Sequence, residues 1–432
     1  MTKLSIEGRY LYENGKPFFW LGDTAWRLFH CLDLEQSRLY FKNRADKGFN
    51  VIQAVMTNQV TGRDTVVNGV PVKSKDMDAF ISKDNGAYWA YVESVVSAAK
   101  DMGLYMALLP VWGTAAKDGF INETNAERYI KFLAQRFSAF DNIIWLLGGD
   151  IRGDNYFDVW DICGKTLKEH SPGKLVGFHP FGRTSSSYWF NDCQWLDFNM
   201  FQSGHRRHDQ NNLSSWDEAA AQEPWHGEDS YLYVEADLNK KPLRPVLDGE
   251  PSYEHIPQGL HNPSEPYWEE HHVRRYAWWS VLAGACGHTY GDNSIMQFFG
   301  TGSPGAYGVK DTWEEGLHHA GSGHMGFLKS LMQEIGFTDG QPLQGLSDDM
   351  SVRVFGNDRY VIAYIYNGNG FVLKGDVSAD GWWYDPSCGA RSYFGRVNLA
   401  EGRNMRPPAK NIGHNDWALL LKVAMPEAAP WA

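Results

Sequence analysis

Two short stretches of the sequence each bring a carboxylate directly after a run of apolar residues. Asp150 follows residues 142–147 and two glycines, and Glu250 follows residues 245–247 and the pair Asp248-Gly249. Hydrolysis of a glycosidic bond requires one carboxyl that gives a proton to the leaving oxygen and a second, ionised carboxyl on the other side of the anomeric carbon. The two stretches therefore predict a catalytic pair, Asp150 and Glu250.

The distance between the two carboxyls would decide the stereochemical course. At about 5 to 5.5 Å the reaction retains configuration and Glu250 is the nucleophile, whereas at about 6.5 to 9.5 Å it inverts. Glycines beside each acid leave room for a ligand to approach. For Glu250 taken alone, a solvated loop acid or half of a structural ion pair is the competing interpretation.

The ends of the other predicted strands carry polar or aromatic residues, which would bind hydroxyls and stack on the flat face of a sugar ring. The candidate substrate-binding residues are Asp23, Trp26, Gln53, Trp112, His179, Arg183, Asn199, Gln202, His205, Tyr253, Tyr290 and Asp292. For any single member the stronger alternative is structural, because polar residues at strand ends also tie loops together.

The elements that would position these residues alternate between strand and helix. Apolar runs predict strands at residues 18–21, 50–56, 104–109, 142–147, 175–178, 195–200, 245–247 and 287–292, and helical spacing predicts helices at 34–47, 89–102, 125–137, 157–169, 273–282 and 324–333. Eight such units predict an α/β fold, a (β/α)8 TIM barrel with its chemistry at the C-terminal strand ends. An open doubly wound sheet also alternates, but the glycine-rich dinucleotide fingerprint after the first strand is absent.

The sequence pattern changes near residue 340. Short β-rich segments at 351–355, 360–366, 371–374, 381–384 and 417–423 are separated by Gly, Asn and Asp. This pattern is typical of a small antiparallel β-sandwich. We therefore predict a barrel domain over residues 1–340 and a sandwich domain over residues 345–432.

The charge and composition of the chain limit the classes of molecule that the protein is expected to bind. A net charge of −12 and an isoelectric point near 5.7 argue against nucleic acid and anionic membranes, which are bound through clustered Lys and Arg. Aromatic residues make up 14% of the chain, which fits a carbohydrate substrate. The five cysteines show no metal or disulfide spacing, and the pairs His271-His272 and His318-His319, with His324, lack an HExxH pattern. We therefore expect no metal and no cofactor.

The serine run and the N-terminal residues of the chain give only weak information about function and location. The serines at 185–187 lie in no GxSxG elbow, which disfavours a serine hydrolase. Residues 1–20 contain no apolar signal core, and no run approaches the roughly 20 apolar residues of a membrane span. The expectation is a cytoplasmic enzyme, or an exported one if Met1 replaces a natural leader.

Seven ordered motifs resemble the apiosidase-like glycoside hydrolases, and the likeness covers about residues 5–335. They are KPFFWLGDTAW (16–26), KGFNVIQ (47–53), WLLGGD (145–150), HPFGRTSSSYWF (179–190), WLDFNMFQSGH (195–205), DGEPSYE (248–254) and GHTYGDNSIMQF (287–298). The resemblance implies a barrel with Asp150 as acid/base and Glu250 as nucleophile. The stretch WWYDPSCGAR (382–391) resembles a β-sandwich often appended to this family and labelled as collagen-binding.

The resemblance also implies an activity. Characterised members release apiose, a branched pentofuranose, from pectic side chains, so we expect a retaining, exo-acting glycosidase on plant-derived glycosides. Another pentofuranosidase, a β-glycanase, or a non-catalytic carbohydrate-binding protein are the alternatives. We expect specificity to reside in the segments 59–84 and 206–243, because loops vary freely on a shared barrel.

Overall fold

The computed structural model describes residues 3–57, 61–210, 225–302, 304–410 and 412–424. Its strands, in chain order, are β1 Leu4–Glu7, β2 Tyr10–Glu13, β3 Lys16–Phe18, β4 Trp20–Thr24, β5 Val51–Val55, β6 Thr65–Val67, β7 Val70–Val72, β8 Tyr105–Leu109, β9 Ile143–Ile151, β10 Val176–Pro180, β11 Thr184–Ser185, β12 Asn199–Gln202, β13 Val246–Asp248, β14 Gly287–Tyr290, β15 Gln341–Pro342, β16 Val352–Gly356, β17 Tyr360–Ile365, β18 Phe371–Leu373, β19 Ser378–Tyr384, β20 Arg391–Asn398, β21 Arg403–Met405 and β22 Trp417–Val423.

The α-helices are Leu28–Cys31, Leu34–Asp46, Met77–Phe80, Gly86–Asp101, Thr114–Lys117, Ala126–Arg136, Phe157–His170, Ser187–Phe190, Ser230–Leu238, Glu270–Leu282, Asn293–Gln297, Trp313–Gly316 and Ala320–Ile335. Their ends follow local sequence signals. The helix Leu34–Asp46, for example, begins at a capping box in which the side chains of Asp33 and Gln36 bond each other's backbone N–H. No described helix combines the length and the apolar character that a membrane crossing requires.

Eight parallel strands form the curled sheet of a (β/α)8 barrel. Six of them pair in the order β10-β9-β8-β5-β4-β14, and β12 pairs with β13. Backbone bonds complete the circle, since Asp197 N–H donates to Val176 O and Cys286 N–H donates to Val246 O, both at 2.9 Å. The barrel strands are buried along nearly their whole length, because helices cover the outside and side chains fill the inside.

The last part of the chain forms an antiparallel β-sandwich domain, with a six-stranded sheet in the order β15-β16-β17-β22-β19-β20. It packs closely on the barrel. The guanidinium of Arg274, on the helix Glu270–Leu282, makes two 2.7 Å bonds to the buried carboxylate of Asp416, and the rings of Trp278 and Tyr364 stack 5.1 Å apart. The apolar core therefore continues from one domain into the other.

Two strand predictions require correction. The sixth barrel strand begins at Asn199, not at residue 195, because Trp195 instead packs on Phe190 and donates its indole N–H to Asp161. The predicted sandwich also omitted β20, whose residues are largely exposed and so lack an apolar pattern. The segment 59–84 is more ordered than a loop: it holds the hairpin β6-β7 and the helix Met77–Phe80, although residues 59 and 60 lie outside the described residues.

Candidate active site

Asp150 and Glu250 face each other across one cavity of about 400 Å³ at the C-terminal ends of the barrel strands. One carboxylate oxygen of Asp150, one of Glu250 and an imidazole nitrogen of His179 all lie within 4.8 Å of one another. The two acids come from β9 and from the turn after β13, on opposite sides of the barrel mouth. The barrel therefore brings together two carboxyls that lie 100 residues apart in the sequence.

Glu250 is buried, with an imidazole beside each of its oxygens. Its Oε1 bonds Nε2 of His205 at 3.1 Å, and its Oε2 lies 3.2 Å from Nε2 of His179. Burial raises the pKa of Glu250, but the two imidazoles outweigh that effect and hold the pKa well below its usual range. Glu250 is therefore set to be a carboxylate at neutral pH.

Asp248 fixes the backbone beneath Glu250. Its Oδ1 accepts from Glu250 N–H at 3.2 Å, and its Oδ2 accepts from the Ser203 hydroxyl at 2.6 Å. Asp248 thus ties the turn that carries Glu250 to the loop that carries His205. Burial raises the pKa of Asp248 to about 7.

Asp150 lies in an irregular stretch near the end of β9 and is exposed to the cavity. Gly148, Gly149 and Asp150 all have positive φ, at +81°, +102° and +48°. A Cβ on Gly148 would collide with the carbonyl of His179, and one on Gly149 would collide with the ring of Trp112. The two glycines are therefore required both for the backbone conformation and for the close approach of neighbours.

Aromatic side chains form the wall of the cavity beside the acids. The indole of Trp26 donates to the Tyr253 hydroxyl at 3.1 Å and packs against the rings of Trp112 and His179, each 5.1 Å away. Tyr307 completes the wall from a separate loop. Such surfaces stack on the apolar face of a sugar ring.

A smaller side pocket of about 80 Å³ adjoins the cavity on the Asp150 side. It contains three of the predicted binding residues, Arg183, Gln202 and His205. Of the twelve predicted binding residues, therefore, Trp26, Trp112, His205 and Tyr253 line the main cavity, Arg183 and Gln202 line the side pocket, and His179 contacts Glu250. Their role in substrate binding stays a prediction.

The other five predicted binding residues do not line the cavity. Asp23 is fully buried in an ion pair with Arg44 at 2.6 Å, and Asp292 caps a helix and bonds His319 at 2.6 Å. Tyr290 donates to the buried carboxylate of Glu254. The last two, Gln53 and Asn199, are buried among the barrel strands, where Gln53 donates to Gly249 O at 2.9 Å.

Several cavity residues were not anticipated from the sequence, among them Arg27, Thr57, Thr114, Gln297 and Tyr307. Arg27 directly follows one of the motifs and Gln297 lies within another, so the motifs contained a signal for both. Tyr307 lies in a glycine-rich loop without strand or helix periodicity, and nothing in its sequence context indicates that it reaches the acids.

Comparison with known proteins shows the family to which the chain belongs. Residues 5–339 match the family described as "Apiosidase-like, catalytic domain", and residues 345–422 match "Putative collagen-binding domain of a collagenase". A crystal structure of a family 5 glycoside hydrolase from Bacteroides vulgatus is 36% identical, with a TM-score of 0.88 over 97% of this chain and 93% of that chain. A second structure, titled "Glycoside hydrolase", is also 36% identical, with a TM-score of 0.88 over 98% and 96%. No curated protein matches the chain.

The barrel and these two solved relatives together define a glycoside hydrolase, an enzyme that cleaves glycosidic bonds in a carbohydrate substrate. More narrowly, the match over most of the chain shows that the protein belongs to the apiosidase-like glycoside hydrolases.

Proposed function

We propose that the protein is a retaining, exo-acting glycosidase that removes a terminal pentofuranose, apiose first among the candidates, from plant-derived pectic glycosides. The observation that carries the proposal is the approach of Asp150 and Glu250 oxygens to within 4.8 Å across one cavity. This close approach of the two oxygens suits the retaining arrangement, with carboxyls about 5 to 5.5 Å apart, better than the inverting arrangement of about 6.5 to 9.5 Å.

In the first step, a Glu250 oxygen attacks the anomeric carbon while the bond from that carbon to the leaving oxygen breaks. The depressed pKa of Glu250 keeps it ionised for this attack. Asp150 gives its proton to the leaving oxygen, so the aglycone departs as a neutral alcohol and the sugar remains as an ester of Glu250.

In the second step, Asp150 is the base. It takes a proton from a water that attacks the anomeric carbon on the face the aglycone has left, and the ester bond to Glu250 breaks. The sugar leaves with its original configuration, Glu250 is again a carboxylate and Asp150 is again protonated. Exposure of Asp150 to the cavity gives this water access to it.

The size and closure of the cavity support action on a chain end. At about 400 Å³ it is near the lower end of the roughly 300–1,000 Å³ typical of ligand sites. Trp26, Trp112 and Tyr307 wall it on several sides, which suits one small sugar ring better than the middle of a polysaccharide. The choice of apiose rests on membership of the apiosidase-like family.

The experiment is a panel of aryl pentofuranosides and pyranosides, with the anomeric configuration of the first-formed product followed by NMR. We expect an apioside or a related pentofuranoside to be cleaved fastest and its configuration to be retained. Initial release of the inverted sugar would refute the double displacement. Preference for an internal linkage of a β-glycan would instead favour a glycanase.

A further inference from the structure

Behind one side of the catalytic cavity, three separate chain segments bring a carboxylate and two imidazoles together. Oδ2 of Asp311 lies 3.4 Å from Nδ1 of His255 and 3.4 Å from Nε2 of His319. The two imidazole rings have centroids 4.0 Å apart. His255 and Asp311 are partly open to solvent, and both border an outer groove, so a solute has access to this cluster.

A buried carboxylate fixes the orientation of His319. Oδ2 of Asp292 is fully buried and lies 2.6 Å from Nδ1 of His319, which donates its proton there. In the neutral ring, Nε2 then carries a lone pair that faces the carboxylate of Asp311. Two acceptors at this distance repel each other, so the arrangement calls for a positive charge between them.

The spacing and chemistry of the donors suit a metal ion better than a chance contact. Tetrahedral Zn²⁺ with ligands at about 2.0–2.2 Å places neighbouring ligand atoms about 3.3–3.5 Å apart, which matches both 3.4 Å distances. A metal-bound histidine typically donates its other N–H to a carboxylate, as His319 does to Asp292. Two imidazoles and one carboxylate are ligands that zinc accepts, with water in the fourth position.

We propose that His255, Asp311 and His319 form a binding site for a divalent transition metal, with Zn²⁺ the best fit, held in orientation by Asp292. The role of this metal would be structural. Asp311 belongs to the loop that carries Tyr307 into the catalytic cavity, and His255 follows the turn that carries Glu250. The metal would join these two loops, which Asn293 already links through bonds to His255 O at 2.9 Å and Tyr307 O at 2.8 Å.

The test is metal content of the full-length protein, stripped with a chelator and then dialysed against Zn²⁺. We expect one tightly bound zinc per chain in the wild type and a Tm that rises when Zn²⁺ is restored. His255→Ala and Asp311→Asn should lose both, and both side chains are exposed enough for the variants to fold. Asp292→Asn should weaken zinc binding about 10- to 100-fold.

His208 provides a matched control. It also lies between two carboxylates, 2.6 Å from Asp229 and 3.2 Å from Glu228, and it is more than half exposed. His208→Ala should keep the zinc. Glu250→Gln is a second control, because Asp150, His179 and Glu250 also bring donors within 4.8 Å of one another.

Three results would overturn the proposal. The stripped wild type could fail to take up zinc, which would mean that a proton on His319 supplies the positive charge. Zinc could be lost in His208→Ala or in Glu250→Gln, which would place the metal elsewhere. It could also remain in both His255→Ala and Asp311→Asn.

Discussion

The ends of β13 and β9 present the same chemical group in opposite ways. After β13, Glu250 is buried, bonded to His205, close to His179 and supported from below by Asp248. Near the end of β9, Asp150 is exposed and is the last of three consecutive positive-φ residues. The difference is what the proposed mechanism requires of two carboxyls on one barrel: a nucleophile must stay ionised and in place, whereas an acid/base must exchange protons with the leaving group and with water.

The largest expected loss of activity comes from removing the negative charge of the buried carboxylate, Glu250. Glu250→Gln keeps the shape and the contacts with His205 but cannot attack the anomeric carbon, so kcat should fall by about 10⁴-fold or more. Initial rates on an aryl pentofuranoside, with circular dichroism to confirm folding, check this. A folded variant with full activity would contradict the assignment of Glu250.

The effect of replacing the exposed carboxylate, Asp150, should depend on the leaving group of the substrate. Asp150→Asn should lower kcat/KM about 10²- to 10⁴-fold on a sugar aglycone, which needs protonation. With an activated nitrophenyl leaving group the first step needs no proton, so the loss there should be smaller. Equal losses on both substrates would count against proton donation by Asp150.

The contacts of Glu250 with His179 and His205 should set the pH dependence of activity on the acidic side. Because His179 and His205 depress the pKa of Glu250, activity should persist as pH falls until Glu250 is protonated. His205→Ala removes a hydrogen bond to a charged group, worth about 1.5–3 kcal/mol, so the acidic limb of kcat/KM should move up by about 1 to 2 pH units. The pH–rate profiles of variant and wild type measure this shift. An unmoved acidic limb would show that His205 does not hold the charge.

The smallest effect concerns Asp248, beneath Glu250. Its pKa is raised to about 7 by burial, so the folded protein binds a proton here that the unfolded chain loses near pH 4. Stability from this group is therefore present at low pH and declines as pH rises from about 4 to 7. Asp248→Asn should flatten that decline in a series of Tm measurements. A decline of unchanged slope would place its cause elsewhere.

The sequence was sufficient for the architecture because barrel strands are continuous apolar runs that end at glycine or a polar residue. It also located Asp150 and Glu250, since each follows such a run. The sequence did not distinguish the strand-end residues that line the cavity from those that are buried elsewhere. The direction of a side chain depends on partners that are far away in the sequence. Asp23 illustrates this: it faces Arg44 on the neighbouring helix.

Sites formed by residues from several loops could not be predicted from the sequence, for a different reason. Tyr307 reaches the cavity from a segment with no periodicity. His255, Asp311 and His319 come from three segments with no motif spacing, so the search for paired histidines on one helix did not find them. Their proximity results from loop packing, which leaves no regular trace in the sequence.

The central claim is that Glu250 forms a covalent bond with the sugar while Asp150 moves the proton. The most direct measurement is mass spectrometry of the protein after incubation with a 2-fluoro pentofuranosyl substrate that carries an activated leaving group, followed by digestion. The mechanism predicts one glycosyl adduct, on the peptide that contains Glu250. An adduct on another carboxylate, or turnover with inversion and no adduct, would contradict it.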